Sequence, residues 1–141
     1  MLLRLNRLLH ANLEIKKATL LAYYLLWRVR LGLYWQARQT LKRYKQPGVN
    51  RFKRCTVEEL SYLIYALSSL VPQATCLTQA LAAKALMAHY GHEVKLQIGV
   101  MKDEANDTEI KAHAWLTHNG KVVLGQVSNL ADYSILTGGS V

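Results

Sequence analysis

The spacing of apolar residues changes at Gly91, and this change constrains the fold more than any other feature of the chain. Before Gly91, apolar residues recur at intervals of three and four, which is typical of amphipathic helices. After it, residues 93–100 and the runs on either side of Asn119-Gly120 alternate between apolar and polar residues, as half-buried strands do. Asn-Gly favours a two-residue hairpin, because both central residues of the preferred turn need positive φ. We therefore predict an α+β fold, with helices first and a small antiparallel β-sheet last.

The length of 141 residues and an apolar content of 51% suit a single domain, residues 1–141, with enough apolar material for a core. We divide it into an N-terminal helical segment, residues 1–54, and a core, residues 55–141. One helical stripe of large apolar side chains runs through the first part, and we expect it to pack in the core or in a partner's groove. Its members are Leu20, Tyr23, Tyr24, Trp27, Leu31, Tyr34 and Trp35.

Positive charge is concentrated in residues 1–54, where thirteen Lys and Arg face Glu14 alone, a net charge of +12. Residues 55–141 carry a net charge of −3, from five Lys and eight Asp and Glu. A basic segment attracts anionic partners such as lipid head groups or an acidic peptide. It is equally consistent with a solvated helix face. Because no nucleic-acid-binding motif accompanies the charge, we expect no nucleic-acid partner.

Two helices are predicted at the start of the core. Thr56 and Glu59 form a capping box, which should start a helix that runs to about Leu70 and stops before Pro72. Thr75 is the predicted N-cap of the next helix, which should end at Tyr90 and leave through Gly91.

The run from Leu60 to Ala83 contains no charged residue, which raises the question of a transmembrane span. Pro72 interrupts it and polar side chains are scattered through it, so two buried helices are the better interpretation. With two cysteines and no recognisable secretory signal, the chain is predicted to work in a reducing, cytosolic compartment. The basic helices leave contact with a membrane surface open.

Cys76 falls in the first turn of the second predicted helix, where the helix dipole and free amides favour a thiolate. A lone cysteine at a helix start is, by position alone, more often a small buried residue. A cysteine nucleophile also needs an imidazole base, and His113 lies mid-strand in "KAHAWLT". Pairing outward from Asn119-Gly120 predicts His113 opposite Gln126, whose amide oxygen would orient the ring.

Other candidate groups are weaker. Gln73 or Gln79 could donate to an oxyanion beside the amide of Cys76. His89 and His92 are three residues apart, but nothing near them in sequence completes a metal site. The chain also lacks a glycine-rich phosphate loop, and we expect neither a metal nor a cofactor.

Three strings in order, "ATCLTQALAAKALMAHYG", "VKLQIGV" and "KAHAWLTHNGKVVLG", resemble the stand-alone leader peptidases of lasso-peptide biosynthesis. These are small cysteine peptidases related to the transglutaminase and papain-like superfamily. The resemblance extends from about Val71 to Leu136. It implies a Cys-His-acid triad, with Cys76 as nucleophile and His113 as base.

The resemblance also implies a substrate and partners. The substrate would be a ribosomally made lasso precursor peptide, cut between leader and core to free the core's amine for an ATP-dependent macrolactam cyclase. A separate small leader-recognition protein would hold the leader.

The chain departs from the family pattern at the third member of the triad. Where relatives can carry an aspartate, twelve residues past the histidine, it has Gly125. The candidates for the third member are Gln126 and Asp132. A non-catalytic module that docks on a peptide or a membrane, with a degenerate thiol site, is the alternative function.

Overall fold

The computed structural model describes residues 13–43, 55–103 and 105–136, and of residues 33–43, 106 and 107 it describes the backbone alone. Helices come first and a four-stranded antiparallel sheet follows, which confirms the predicted α+β class. The helices are α1 (Leu13–Arg43), α2 (Val57–Ser68) and α3 (Cys76–His89). The strands are β1 (Lys95–Asp103), β2 (Asn106–His118), β3 (Lys121–Leu124) and β4 (Ser134–Ile135), with a 3₁₀ helix, Leu130–Asp132, before β4.

The boundaries of α2 and α3 follow from local side-chain chemistry. Thr56 Oγ1 accepts a hydrogen bond from the Glu59 amide at 3.2 Å, and Glu59 Oε2 accepts from the Thr56 amide at 2.8 Å. This pair confirms the predicted capping box, which satisfies two amides at the start of α2. Thr75 caps α3 as predicted, and Gly91, at φ 78°, provides the left-handed exit.

The core contacts of α1 exclude core packing for most of its aromatic stripe and leave the partner's groove untested. Small and medium side chains face α2 and α3, while the large residues of the stripe lie largely outside. The buried residues of α1 are Ala18, Ala22, Leu25, Leu26 and Val29, and the exposed ones include Leu20, Tyr23, Tyr24 and Leu31. Alanines on α3 are buried in the same core, and helices approach closely where small side chains meet. Trp27 is half-buried, and the side chains of Tyr34 and Trp35 lie outside the described part of the chain.

The sheet has the strand order β3-β2-β1-β4, so β2 and β1 occupy its centre. The polar stretch 101–109 is mostly strand, although its composition is typical of a loop. Lys111 Nζ lies 2.8 Å from Asp103 Oδ2, and Asp103 Oδ1 accepts from the Ala105 amide at 3.0 Å, so polar contacts support this turn. Residues 108–112 are exposed, and strand formation there needs no alternation of apolar residues.

The hairpin between β2 and β3 turns at Asn119-Gly120, whose φ values are 49° and 79°. His118 pairs with Lys121, as predicted. A shift then follows, so that Leu116 pairs with Leu124. The predicted pairing of His113 with Gln126 is therefore wrong, because this bulge moves the register by one residue and β3 ends at Leu124.

Within the part of the chain that the structure describes, no helix combines the length and the hydropathy that a membrane crossing requires. The uncharged run from Leu60 to Ala83 instead forms most of α2 and the first half of α3, with the turn at Pro72 between them.

Replacing Thr56 with alanine should lower the free energy of unfolding by about 1 kcal/mol, because the Glu59 amide at the start of α2 loses its acceptor. Urea unfolding followed by circular dichroism measures the change. Thr56→Ser keeps the hydroxyl and should stay close to the wild type. Equal stability of the alanine variant and the wild type would show that the cap contributes nothing.

Candidate active site

The two faces of β2 differ in what covers them. Ala114 and Leu116 join the core formed with the helices. His113 and Trp115 alternate with them and so project from the other face. Because β3 and β4 lie at opposite edges of the sheet, the connecting segment, residues 125–133, must cross the sheet. Its contacts with His113 show that it crosses this second face.

Three contacts fix the His113 imidazole. Its Nε2 lies 2.7 Å from the backbone carbonyl oxygen of Gly125. The ring stacks on Trp115, with centroids 6.0 Å apart and planes inclined by 19°. The Tyr133 ring packs on it from the crossing segment, at 5.6 Å between centroids. The half-buried ring is thus oriented by one polar and two aromatic neighbours.

Two glycines allow the crossing segment and the aromatic rings to pack closely on β1 and β2, because a side chain at either position would overlap them. At Gly99, which pairs with His113, an added Cβ would lie 2.8 Å from Cη2 of Trp115 and 2.9 Å from Cβ of Tyr133. At Gly125, an added Cβ would lie 2.9 Å from the carbonyl oxygen of Ala114. Gly125 also has φ +85°, a conformation that glycine adopts without steric cost.

Cys76 is the first residue of α3, and its half-buried side chain packs against the hydrophobic core. Thr75 Oγ1 accepts from the Thr78 amide at 3.3 Å, and the Thr75 carbonyl accepts from the Gln79 amide at 3.0 Å. The amides of Cys76 and Leu77 precede these hydrogen-bonded amides in the helix and lie at the positive end of the helix dipole. Cys76 therefore lies in the first turn of the second core helix, as the sequence predicts.

The turn before Cys76 is tied to α1. Arg30 Nε donates to the Pro72 carbonyl at 3.3 Å, and Arg30 Nη2 donates to Gln73 Oε1. Gln73 has φ 56°, and such a conformation persists in a non-glycine residue where surrounding contacts hold it. Gln79 Nε2 donates to the Ala74 carbonyl at 3.4 Å. Arg30 belongs to the basic segment, and its role in this turn carries no sequence signal.

The structure places the four predicted site residues on different elements. Among the described residues, no hydrogen bond joins the Cys76 sulfur to the His113 ring, whose bond goes to Gly125. Gln126 is exposed, and its Nε2 donates to the Val127 carbonyl at 3.1 Å, so the expected bond to His113 is made by Gly125 instead. Asp132 is exposed in the 3₁₀ helix, one residue before Tyr133. The catalytic roles of all four stay predictions.

The second cysteine lies in a different environment. Cys55 is buried, and that burial, together with the negative charges of Glu59 and Glu14, raises the pKa of its thiol. A raised pKa and a buried sulfur both oppose nucleophilic chemistry.

Two further residues of this face were missed at the level of sequence. Tyr133 lies in a run without periodicity, and only the crossing of the chain brings it to His113. Gln97 pairs with Trp115, and its Oε1 is buried without a hydrogen-bond partner among the described residues. That oxygen is available to a donor on a ligand.

Among the described residues, the histidines near the end of α3 do not belong to a group that could hold a metal ion. His92 Nε2 lies 2.7 Å from the Cys55 carbonyl oxygen, which uses one ring nitrogen for a structural contact. In the described ranges, no group of three or more His, Cys, Asp or Glu side chains is placed to hold a metal ion.

Iodoacetamide should alkylate Cys76 in the folded protein about tenfold or more faster than Cys55, because only the thiolate reacts and Cys55 is buried. Peptide mapping by mass spectrometry after timed quenching measures both rates. In urea the two should become similar. Comparable rates in the folded protein would contradict the assigned difference between the two thiols.

Comparison with known proteins identifies a family for this chain. The family model described as transglutaminase-like superfamily matches residues 20–138, a range that includes Cys76, His113 and Gly125. The matched range begins within α1 and therefore includes residues 20–54 of the basic segment. The resemblance described from the sequence begins only at Val71. No curated protein and no solved structure matches the chain.

Proposed function

Because the chain belongs to the transglutaminase-like superfamily, which includes cysteine peptidases, we propose that it is a cysteine peptidase that removes the leader from a lasso precursor peptide. The observation that supports this most is the held imidazole of His113, with its ring fixed by Gly125, Trp115 and Tyr133. A histidine that serves only to fill space does not need a hydrogen bond and two aromatic contacts to orient its half-buried ring.

The position of Cys76 supports the nucleophile role. Cys76 is the first residue of α3. A thiolate formed there would lie at the positive end of the helix dipole. The proposal requires the Cys76 sulfur and the His113 ring to meet when the peptide binds. This needs a rearrangement, because Cys76 packs against the helical core and His113 projects from the other face of β2.

The proposed reaction has two steps. His113 takes the Cys76 proton, the thiolate sulfur attacks the carbonyl carbon at the leader-core junction, and the C–N bond breaks. The proton on His113 passes to the departing amine, which is the new N-terminus of the core. Water, deprotonated by His113, then attacks the thioester and releases the leader as a carboxylate, and the proton returns to the thiol. The amides of Cys76 and Leu77 would stabilise the oxyanion.

The resemblance to lasso leader peptidases supports the choice of substrate and partners. The freed amine is the group that an ATP-dependent macrolactam cyclase consumes. A separate small recognition protein would present the leader, and the enzyme itself would work without a metal or cofactor.

Cleavage of a precursor peptide in the presence of its recognition protein tests the function, with leader and core measured by mass spectrometry. Cys76→Ala should give no product above background, and His113→Ala should lower the rate by roughly 10²-fold to 10⁴-fold. Cys55→Ala is the matched control and should cleave normally. Full activity of Cys76→Ala would refute the proposal.

The same assay addresses the third member of the predicted triad. If Gln126 or Asp132 orients His113 in the substrate complex, its replacement by alanine should lower kcat about tenfold or more. Both side chains are exposed, so neither variant should unfold the protein, which thermal melting checks.

The exposed stripe of α1 favours a second candidate, a non-catalytic module that docks on an anionic lipid surface. Leu13, Leu20, Tyr24 and Leu31 are more than half exposed along one side of the helix. Lys16 and Arg28 are exposed there too, so the surface pairs apolar side chains with positive charge. Positive charge on the stripe fits anionic head groups and opposes pairing with a second copy.

Under this alternative, the protein should sediment with phosphatidylglycerol vesicles and not with phosphatidylcholine vesicles. The double variant Lys16→Glu and Arg28→Glu should bind several-fold more weakly, because both charges attract the anionic surface. Lys121→Glu, on the distant β3, is the matched control. Equal binding to both kinds of vesicle, or none, would rule out an anionic lipid partner.

A further inference from the structure

We propose that the backbone carbonyl of Gly125 is the positioning group of the site. It holds neutral His113 with the proton on Nε2, so that Nδ1 is the nitrogen that accepts the proton of Cys76. This inference rests on the proposed peptidase function for its catalytic meaning, although the state of the ring can be observed without substrate.

The assignment of the proton follows from the chemistry of the two partners. A carbonyl oxygen can only accept a hydrogen bond, and it lies 2.7 Å from His113 Nε2, so Nε2 must donate. A neutral imidazole carries one N–H, and Nδ1 therefore keeps its lone pair. The ring is a base at Nδ1 and a donor at Nε2.

The backbone at residue 125 reaches the ring only because of its glycine. The carbonyl belongs to a residue with φ +85° whose absent side chain would overlap β2 at Ala114 and Trp115. An aspartate at this position, as in relatives, would have to place its side chain in the same confined space. The chain thus supplies a backbone amide oxygen where relatives supply a carboxylate. An amide oxygen was also expected here, but from the side chain of Gln126.

The aromatic neighbours keep the ring in this orientation. Trp115 stacks nearly parallel to it, and Tyr133 packs on it from the crossing segment. Turning the ring by 180° about its own axis would direct a carbon to the carbonyl and lose the hydrogen bond. When Cys76 transfers its proton, the ring becomes a cation, and its Nε2–H donates more strongly to the carbonyl. A neutral carbonyl stabilises this cation less than a carboxylate would.

Long-range ¹H–¹⁵N correlation spectra of the ¹⁵N-histidine protein test the inference, because protonated and unprotonated ring nitrogens differ in ¹⁵N shift. In the neutral His113 ring, the proton should reside on Nε2. His118 provides an internal contrast, since its Nδ1 lies 2.7 Å from the Glu93 carbonyl oxygen and should carry the proton instead. His113→Gln assigns the signals. A His113 ring with the proton on Nδ1 would overturn the inference.

A matched pair of variants tests the catalytic consequence. Gly125→Ala places a Cβ against β2 and displaces the carbonyl, so the Nδ1–H form of His113 should appear and kcat should fall on the order of tenfold to a hundredfold. KM should change less, because the carbonyl contacts His113 and not the peptide. Gly120→Ala has a similar positive φ, +79°, with open space around the added methyl, and should leave both the ring and kcat unchanged.

Failure of the inference and failure of the function give different results. Wild-type protein with the Nδ1–H form, together with loss of cleavage in Cys76→Ala, would reject the role of Gly125 and keep the peptidase. The Nε2–H form in a protein that cleaves no precursor would keep the ring assignment and reject the peptidase. If Gly125→Ala does not fold, the wild-type spectrum decides the proton position alone.

Discussion

The close approach of the Gly125 backbone to β2 is the contact on which the rest of the site depends. It allows the chain to leave β3 at one edge of the sheet and cross to β4 at the other edge. The same crossing brings Tyr133 onto the His113 ring and brings a carbonyl to Nε2. One glycine with positive φ therefore determines both the path of the segment and the environment of the imidazole.

The helical layer supplies the other half of the chemistry. α3 begins at Cys76 because Thr75 caps it, and the turn ahead of it is held by Arg30 from α1. Gln73, whose φ is positive, lies within the turn that Arg30 holds. The basic segment is thus connected to the predicted nucleophile through a specific hydrogen-bonded contact, in addition to any long-range effect of its charge.

Local rules predicted the features that depend on neighbours in sequence. The capping box at Thr56, the N-cap at Thr75 and the turn at Asn119-Gly120 are all set by adjacent residues. The bulge after Thr117 and the contact between Tyr133 and His113 depend on distant parts of the chain, and periodicity does not reveal them. The stripe of α1 left open what it packs against, because periodicity shows that one side of a helix is apolar but not which apolar side faces the core. Of the site, sequence predicted the helix start and the strand histidine, but not the group that holds the ring.

Trp115 is a shared neighbour of the two glycines on this face. A methyl group at Gly99 would meet the far end of its indole, and one at Gly125 would meet its Cα and Cβ. Substitutions at these two distant positions would act on the same side chain, so their energetic effects should not be additive. A smaller residue at 115 would relieve only the part of the crowding at 99 that does not come from Tyr133, and it would remove the surface on which His113 stacks. The three positions consequently behave as one packing unit, in which no member can change size independently.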